Sequence, residues 1–97
     1  LWLDAFKSRI ADNLIESLLK YATLLDEHEA FDTKLLISDI IFRFDSVNEA
    51  ALRLKCATYV FMRKQYMAKT TYEHFCREYK SLYDEPFEHS FNSIISQ

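Results

Sequence analysis

The sequence predicts an all-α fold, a single compact bundle of about five helices. Its 97 residues contain no glycine and one proline, Pro86, whereas ordinary usage would give about seven glycines. Glycine supplies the positive φ angles of tight hairpin turns and phosphate-binding loops, so its absence disfavours β architectures and nucleotide-binding motifs. Apolar residues also recur at intervals of three and four, which is typical of helices. We therefore expect helices joined by short loops.

The length and composition predict one globular domain over residues 1–97. The chain is 49% hydrophobic and 15% aromatic, so we expect a core built largely on rings. Because it begins at Leu1 rather than methionine, we expect a domain excised from a larger protein. No run approaches the 18 apolar residues of a membrane span, so we expect neither a membrane span nor a signal peptide. Cys56 and Cys76 are predicted to be reduced thiols, which favours an intracellular location, cytoplasmic or nuclear.

The first helix is predicted over about residues 4–25. Apolar residues spaced by threes and fours predict one stripe that packs on the bundle. An acidic segment, residues 26–29, ends the pattern. The stripe contains Leu3, Phe6, Ile10, Leu14, Leu18, Ala22 and Leu25.

The second helix is predicted over about residues 33–44, with Asp32 as its N-cap. This segment is rich in β-branched and aromatic residues and would also suit a strand. A single strand would have no partner here, so a helix is favoured. The predicted buried face contains Leu36, Ile37, Ile40, Ile41 and Phe44.

The third helix is predicted to start at a capping box, Ser46 to Glu49, and to reach Tyr66, so that it covers about residues 47–66. It has two apolar sides, which is typical of a helix at the centre of a bundle. One side contains Val47, Ala50, Leu54, Ala57 and Phe61, and the other contains Leu52, Cys56 and Tyr59. The alternative is that the second side faces a partner.

The fourth helix is predicted to start at a second capping box, Thr70 to Glu73, and to end near Tyr83. A turn near Ala68 would then separate it from the third helix. Pro86 suits the first turn of a short fifth helix. The apolar stripe of the fourth helix contains Tyr72, Phe75, Cys76, Tyr79, Leu82 and Tyr83, and that of the fifth contains Phe87, Phe91, Ile94 and Ile95.

No arrangement of residues predicts catalysis, a metal site or a bound cofactor. The three histidines are far apart in sequence and form no metal-binding pair. His74 and Cys76 are two residues apart, which places their side chains about 200° apart on a helix and rules out a local dyad. Cys56 lies in an apolar helix, where its thiol should be inert. We expect a protein that is not an enzyme and has no evident small-molecule substrate.

The function that the sequence favours is protein–protein interaction or assembly through helix faces, either with a partner protein or by self-association. The five tyrosines between residues 59 and 83 exceed what a small core can bury with every hydroxyl bonded, and tyrosine is common at interaction hot spots. Seven basic residues against two acidic ones between residues 53 and 80 add a local positive charge to a chain of net charge −3. The candidate partner-binding residues are Arg63, Lys64, Lys69, Arg77 and Lys80, with Tyr66, Tyr72 and Tyr83.

The alternative function is nucleic-acid binding by a structure like a helix-turn-helix. Residues 67–75 resemble the turn and second helix of that motif, and the basic residues nearby would suit phosphate contacts. The outer side of the fourth helix would then present Thr71, His74 and Arg77. Against this alternative, the third helix is longer than the usual first helix of the motif, and the outer side offers no Asn or Gln.

Overall fold

The computed structural model describes residues 2–26 and 28–96, and within them the chain forms five helices and no strand, which confirms the all-α prediction. Residues 35–44, whose composition would also suit a strand, are helical. The helices are α1 (Trp2–Thr23), α2 (Phe31–Phe44), α3 (Glu49–Phe61), α4 (Gln65–Tyr83) and α5 (Phe91–Ile95).

The third helix is central, as predicted. Helix α3 packs against α2, α4 and α5, whereas α1 packs mainly on α2. Leu52 and Cys56 are completely buried on the side of α3 that faces α4 and α5. The alternative in which these two residues face a partner is therefore wrong.

The core consists of two apolar clusters, one on each side of α3. Ile15 and Ala22 of α1 pack with Ile37 and Ile41 of α2 and with Ala51 of α3. On the other side, buried residues of α3 and α4 pack with Ile94 of α5; they are Leu52, Cys56, Ala68 and Phe75. The molecule measures 45 × 33 × 17 Å. The shortest dimension is close to the thickness of two helix layers, so each layer has an outer side.

Aromatic rings hold the segment between α4 and α5 against α4. The Phe87 ring lies 4.9 Å from that of Phe75 and 5.2 Å from that of Tyr79. The Tyr72 ring contacts Phe91, and its hydroxyl donates a hydrogen bond to the His89 carbonyl oxygen at 2.6 Å. The expectation of a core built on rings is thus met in this half of the molecule.

The start of α3 differs from the predicted capping box. Asn48 is the N-cap, and its side-chain oxygen accepts from the Ala51 N–H at 2.9 Å. Asp45 holds the preceding turn by accepting from the Val47 N–H and from the Asn48 side chain. The Glu49 carboxylate, expected to reach back to Ser46, instead accepts from the Arg53 guanidinium.

The predicted turn between the third and fourth helices is also misplaced. Helix α3 ends at Phe61 rather than Tyr66, and α4 starts at Gln65 rather than near Thr70. Ala68, the expected turn residue, is buried within α4, where its carbonyl oxygen lies 3.5 Å from the Cys56 sulfur.

The chain ends two of its helices with left-handed residues other than glycine. The Lys64 N–H donates to the Tyr59 carbonyl oxygen at 2.8 Å and the Arg63 N–H donates to that of Val60 at 3.0 Å. This pair of bonds is a Schellman motif, whose C′ residue, Arg63, has a φ of 61°. Asp84 ends α4 with a φ of 54°. Left-handed helix ends of this type therefore form here without glycine.

The starts of the second and fifth helices differ from prediction as well. Ala30, with a φ of 57°, precedes α2 without a side-chain cap, and Asp32 lies in the first turn rather than at the N-cap. Pro86 lies in a non-helical segment. Helix α5 begins at Phe91, and the hydroxyl oxygen of its N-cap Ser90 accepts from the Ser93 N–H at 3.1 Å.

Candidate interaction surfaces

A row of exposed apolar residues lies on α1. Trp2, Phe6 and Ile10 are 78%, 49% and 52% exposed, although the spacing predicts that Phe6 and Ile10 pack on the bundle. We call this surface the outer stripe. Its residues are Trp2, Leu3, Phe6, Ile10, Leu14 and Tyr21, all of them exposed. The prediction that the first helix buries Leu3, Phe6, Ile10 and Leu14 is therefore wrong.

Helix α1 has two apolar sides, whereas the apolar spacing predicts a single stripe. At about 100° per residue, Ile15, Leu18 and Ala22 lie on a side centred roughly 110° from the outer stripe. That side packs on α2 and contains the two residues of α1 that are buried, Ile15 and Ala22. The sign of a second side was present in the sequence: Leu3 and Ile10 are seven residues apart, as are Leu14 and Tyr21, so each pair repeats on one line of the helix.

The end of α2 extends this apolar surface. Phe44 is exposed and, with Ile10 and Leu14, lines a shallow cleft of about 520 Å³. Leu36 is also exposed. The prediction that Leu36 and Phe44 belong to a buried face is wrong, because the buried side of α2 is formed by Lys34, Ile37, Ser38 and Ile41.

Three of the predicted basic residues share the outer side of α4. Lys69, Arg77 and Lys80 are exposed and lie opposite the buried residues Ala68 and Phe75. They span about 16 Å along the helix. Glu73 lies among them on the same side and reduces the local positive charge. The two other candidates, Arg63 and Lys64, are exposed in the turn that precedes α4.

The remaining basic residues of the 53–80 segment are held by acidic partners. The Arg53 guanidinium bonds the Glu49 carboxylate at 3.0 Å, and the Lys55 ammonium bonds that of Asp39 at 2.9 Å. Their charge is compensated on α3 and α2 and does not add to the outer side of α4.

The structure does not bring the three candidate tyrosines together. Tyr66 is 81% exposed on the outer side of α4, beside Lys69. Tyr83 is exposed at the other end of α4, about 25 Å away along the axis, and its ring contacts that of Tyr79. Tyr72 is half-buried and faces the segment between α4 and α5.

The predicted outer side of the fourth helix is partly wrong. Thr71 is half-buried and its hydroxyl donates to the Met67 carbonyl oxygen at 2.8 Å. With His74 it lines a groove of about 530 Å³ between α2 and α4. Only Arg77 of the three residues named for that side lies with Lys69 and Lys80. The helix bounds also remove the turn that a helix-turn-helix would need within residues 67–75.

The two thiols are free and differ in environment. Cys56 is completely buried, and this burial raises its pKa to about 12, with the nearby Lys55 charge opposing the rise. Cys76 is half-buried. The thiolate is the reactive form of cysteine, so Cys56 is inert at neutral pH. In residues 2–26 and 28–96, no three His, Cys, Asp or Glu side chains are grouped so that they could hold a metal ion.

In the part of the chain that the structure describes, no helix has both the length and the apolarity needed to cross a membrane. No protein-family model matches the chain, and no curated protein or solved structure is significantly similar to it.

Proposed function

We propose that this chain is a non-enzymatic module for protein–protein interaction or assembly, and that it acts through helix faces. The observation that carries the proposal is the outer stripe of α1. Monomeric proteins rarely expose large contiguous apolar patches, and such patches mark sites of interaction with proteins, membranes or ligands. Three aromatic rings, Trp2, Phe6 and Tyr21, lie in the stripe, and aromatic residues dominate interface energetics.

The arrangement of α1 supports this function because the helix is already anchored. Ile15 and Ala22 fix it to α2, so its outer stripe is presented on a preformed helix rather than on a disordered segment. A partner that binds it therefore loses little conformational freedom in the chain itself. An amphipathic helix face presented in this way is a common mode of recognition.

The environment of Cys56 is consistent with a function other than catalysis. A reactive cysteine needs an accessible thiolate, whereas this thiol is buried and its pKa is raised. Both cysteines are free thiols, which suits the reducing compartment inside a cell. We propose an intracellular location on that basis.

Site-specific photocrosslinking tests the proposal. A photoreactive phenylalanine analogue replaces Ile10 in the stripe or, as a control, Asp12, which is exposed on another side of α1. After irradiation in an extract of the cells that produce the chain, we expect a discrete protein adduct from position 10 only. The additional substitution Phe6→Asp should abolish it. Equal adducts from both positions, or none from position 10, would contradict the proposal.

A second candidate function is the binding of nucleic acid through the outer side of α4. The observation that favours it is the alignment of Lys69, Arg77 and Lys80, with Arg63 and Lys64 in the preceding turn. The exposed Tyr66 ring beside Lys69 could stack on an unpaired base. Charges placed along one helix side can follow a phosphate backbone.

The test of this second function is the salt dependence of binding to duplex and single-stranded probes. Binding should be measurable at about 50 mM salt and fall steeply by about 200 mM. The triple variant Lys69→Ala, Arg77→Ala, Lys80→Ala should reduce the slope of log K against log salt by about 2 to 3. Arg43→Ala, which removes an exposed charge on α2, serves as the control. No shift with any probe would exclude this function.

A further inference from the structure

We propose that the partner of the outer stripe is a second copy of this chain, and that two α1 helices pack antiparallel through it. This inference rests on the proposed function, because it names the occupant of the same surface. Area, seven-residue spacing and charge placement each favour a second copy.

The exposed apolar area suits a dimer. Trp2, Phe6 and Tyr21 are each about half exposed or more, and the stripe also contains Leu3, Ile10 and Leu14. Since one aromatic side chain can bury 150–250 Å², the stripe offers on the order of 800 Å² per copy. That is the area one partner contributes to a standard-size interface.

The spacing of the stripe is that of a helix that packs along another helix. Leu3, Ile10 and Ser17 follow one another at seven-residue intervals within α1, with Phe6, Leu14 and Tyr21 beside them. A seven-residue apolar repeat keeps one line of a helix in contact with a neighbouring helix over its whole length. Ser17 leaves a small position where a large side chain of the other copy, such as Phe6, can fit.

The charges beside the stripe fix the direction. Arg9 and Glu16 lie seven residues apart on the same edge of the stripe, both exposed and neither ion-paired with a described residue. An antiparallel pair centred between residues 12 and 13 places Arg9 of each copy beside Glu16 of the other, twice. A parallel pair would instead place Arg9 level with Arg9 of the other copy and Glu16 level with Glu16, so that like charges face each other.

Two further residues fit the antiparallel arrangement. Lys20 of one copy comes level with Ala5 of the other, about 4.5 Å along the axis from Trp2, so its long side chain can place the ammonium group over the Trp2 ring. Asn13 lies beside the two-fold axis, where the side-chain amides of the two copies can bond each other. A single polar residue inside an apolar seam is a known means of fixing its register. The surface is thus complementary to itself, as a two-fold interface requires.

Sedimentation equilibrium of the 97-residue chain tests the proposal. We expect a dimer at concentrations of tens of micromolar and a loss of dimer in Ile10→Asp, with circular dichroism confirming that the variant stays helical. Asp12→Arg, a charge reversal on α1 away from the stripe, should leave the dissociation constant within about twofold. A monomer up to about 0.5 mM, or a dimer unaffected by Ile10→Asp, overturns the proposal.

Charge exchange tests the direction of the helices. Arg9→Glu and Glu16→Arg should each weaken the homodimer by about tenfold, because both cross-pairs become repulsive. An equimolar mixture of the two variants should form a heterodimer about as tight as the original, since every cross-pair is then attractive. Single variants that dimerise as tightly as the original chain overturn the antiparallel arrangement, because a parallel pair already places like charges opposite each other.

The outcomes separate this inference from the proposed function. If the chain is a monomer and position 10 still crosslinks to a protein of another mass, self-association fails and the interaction function stands. If the monomer instead sediments with vesicles of anionic phospholipid, and Ile10→Asp prevents it, the stripe binds a lipid surface and both proposals fail.

Discussion

Arg63 has a left-handed backbone conformation, which carries a free-energy penalty of about 1–2 kcal/mol for a residue with a Cβ. It is the C′ residue of the Schellman motif that ends α3, and the two hydrogen bonds of that motif hold it there. Glycine would relieve the penalty but would also remove one of the five candidate basic residues. A position that keeps a strained charged residue is where we would look for a role beyond folding.

We expect Arg63→Gly to raise the free energy of unfolding by about 0.5–1 kcal/mol. Removing the free-energy penalty of the left-handed conformation outweighs the extra conformational entropy that glycine loses on folding. Arg63→Ala is the matched control, because it removes the same charge and keeps the penalty. Urea titration measures both. If Arg63→Ala stabilises the chain as much as Arg63→Gly, the backbone conformation is not the cause.

Cys56 should make stability fall at alkaline pH. Its pKa is raised from 9.0 to about 12 in the folded chain, so the unfolded state loses its proton first. The contribution of the Cys56 thiol to the free energy of unfolding is therefore fully present below pH 9 and is lost as the pH rises from 9 toward 12.

We expect Cys56→Ala to reduce the loss of unfolding free energy between pH 8 and pH 10. The change with pH is compared rather than the absolute value, because the substitution also leaves a small cavity. Cys76→Ala is the control and should keep a pH dependence close to that of the original chain. Urea titrations at several pH values provide the comparison. Identical slopes for all three chains would contradict the assignment.

At the scale of the helix, the number and type of elements could be predicted from the sequence, but their starts could not. Periodic apolar residues over ten or more positions define a helix whatever its exact ends. A capping box, in contrast, is a four-residue pattern that two nearby residues can compete to satisfy. Ser46 matches the pattern, but it lies in a turn in which the Asp45 carboxylate accepts from the Val47 N–H. Helix α3 therefore starts two residues after Ser46, and Asn48 is its N-cap.

Of the two candidate surfaces, one could be predicted from the sequence and the other could not. The outward placement of Lys69, Arg77 and Lys80 follows from their spacing on a helix and could be predicted. Which apolar side of α1 remains exposed could not be predicted, because Phe6 and Ile15 both fit an apolar spacing on this helix. Which of them is buried depends on how α2 lies against the helix, and that is a tertiary property.

We expect Asn48→Ala to lower the free energy of unfolding by about 1 kcal/mol, since it leaves the Ala51 N–H at the start of α3 without its partner. Ser46→Ala, at the position that the sequence pattern favours, should change it by less than about 0.5 kcal/mol. Thermal or urea unfolding measures both. A larger effect at Ser46 than at Asn48 would mean that the predicted capping box forms in solution.

At the scale of the whole molecule, the thin shape and the outer stripe have one cause. Two helix layers enclose α3 but can cover only one side of α1, which lies at the edge and packs mainly on α2. A chain of this size could have placed polar residues on the uncovered side. It has Trp2, Phe6 and Ile10 there instead. The apolar surface that the bundle leaves open is therefore the one through which we propose that the chain associates.

Association through that surface should link stability to protein concentration. When the folded state is a dimer and the unfolded state a monomer, mass action stabilises the folded state as the concentration rises. For a chain of this length we expect the melting temperature to increase by about 3–5 °C for each tenfold increase in concentration. In Ile10→Asp it should not depend on concentration and should equal the value of the isolated monomer. Differential scanning calorimetry between about 10 µM and 1 mM measures both chains.

Leu52→Asp is the control for loss of folding, because it places a charge in the core rather than on the outer stripe. It should abolish the folded state at every concentration. A variant that unfolds is thereby distinguished from one that only dissociates.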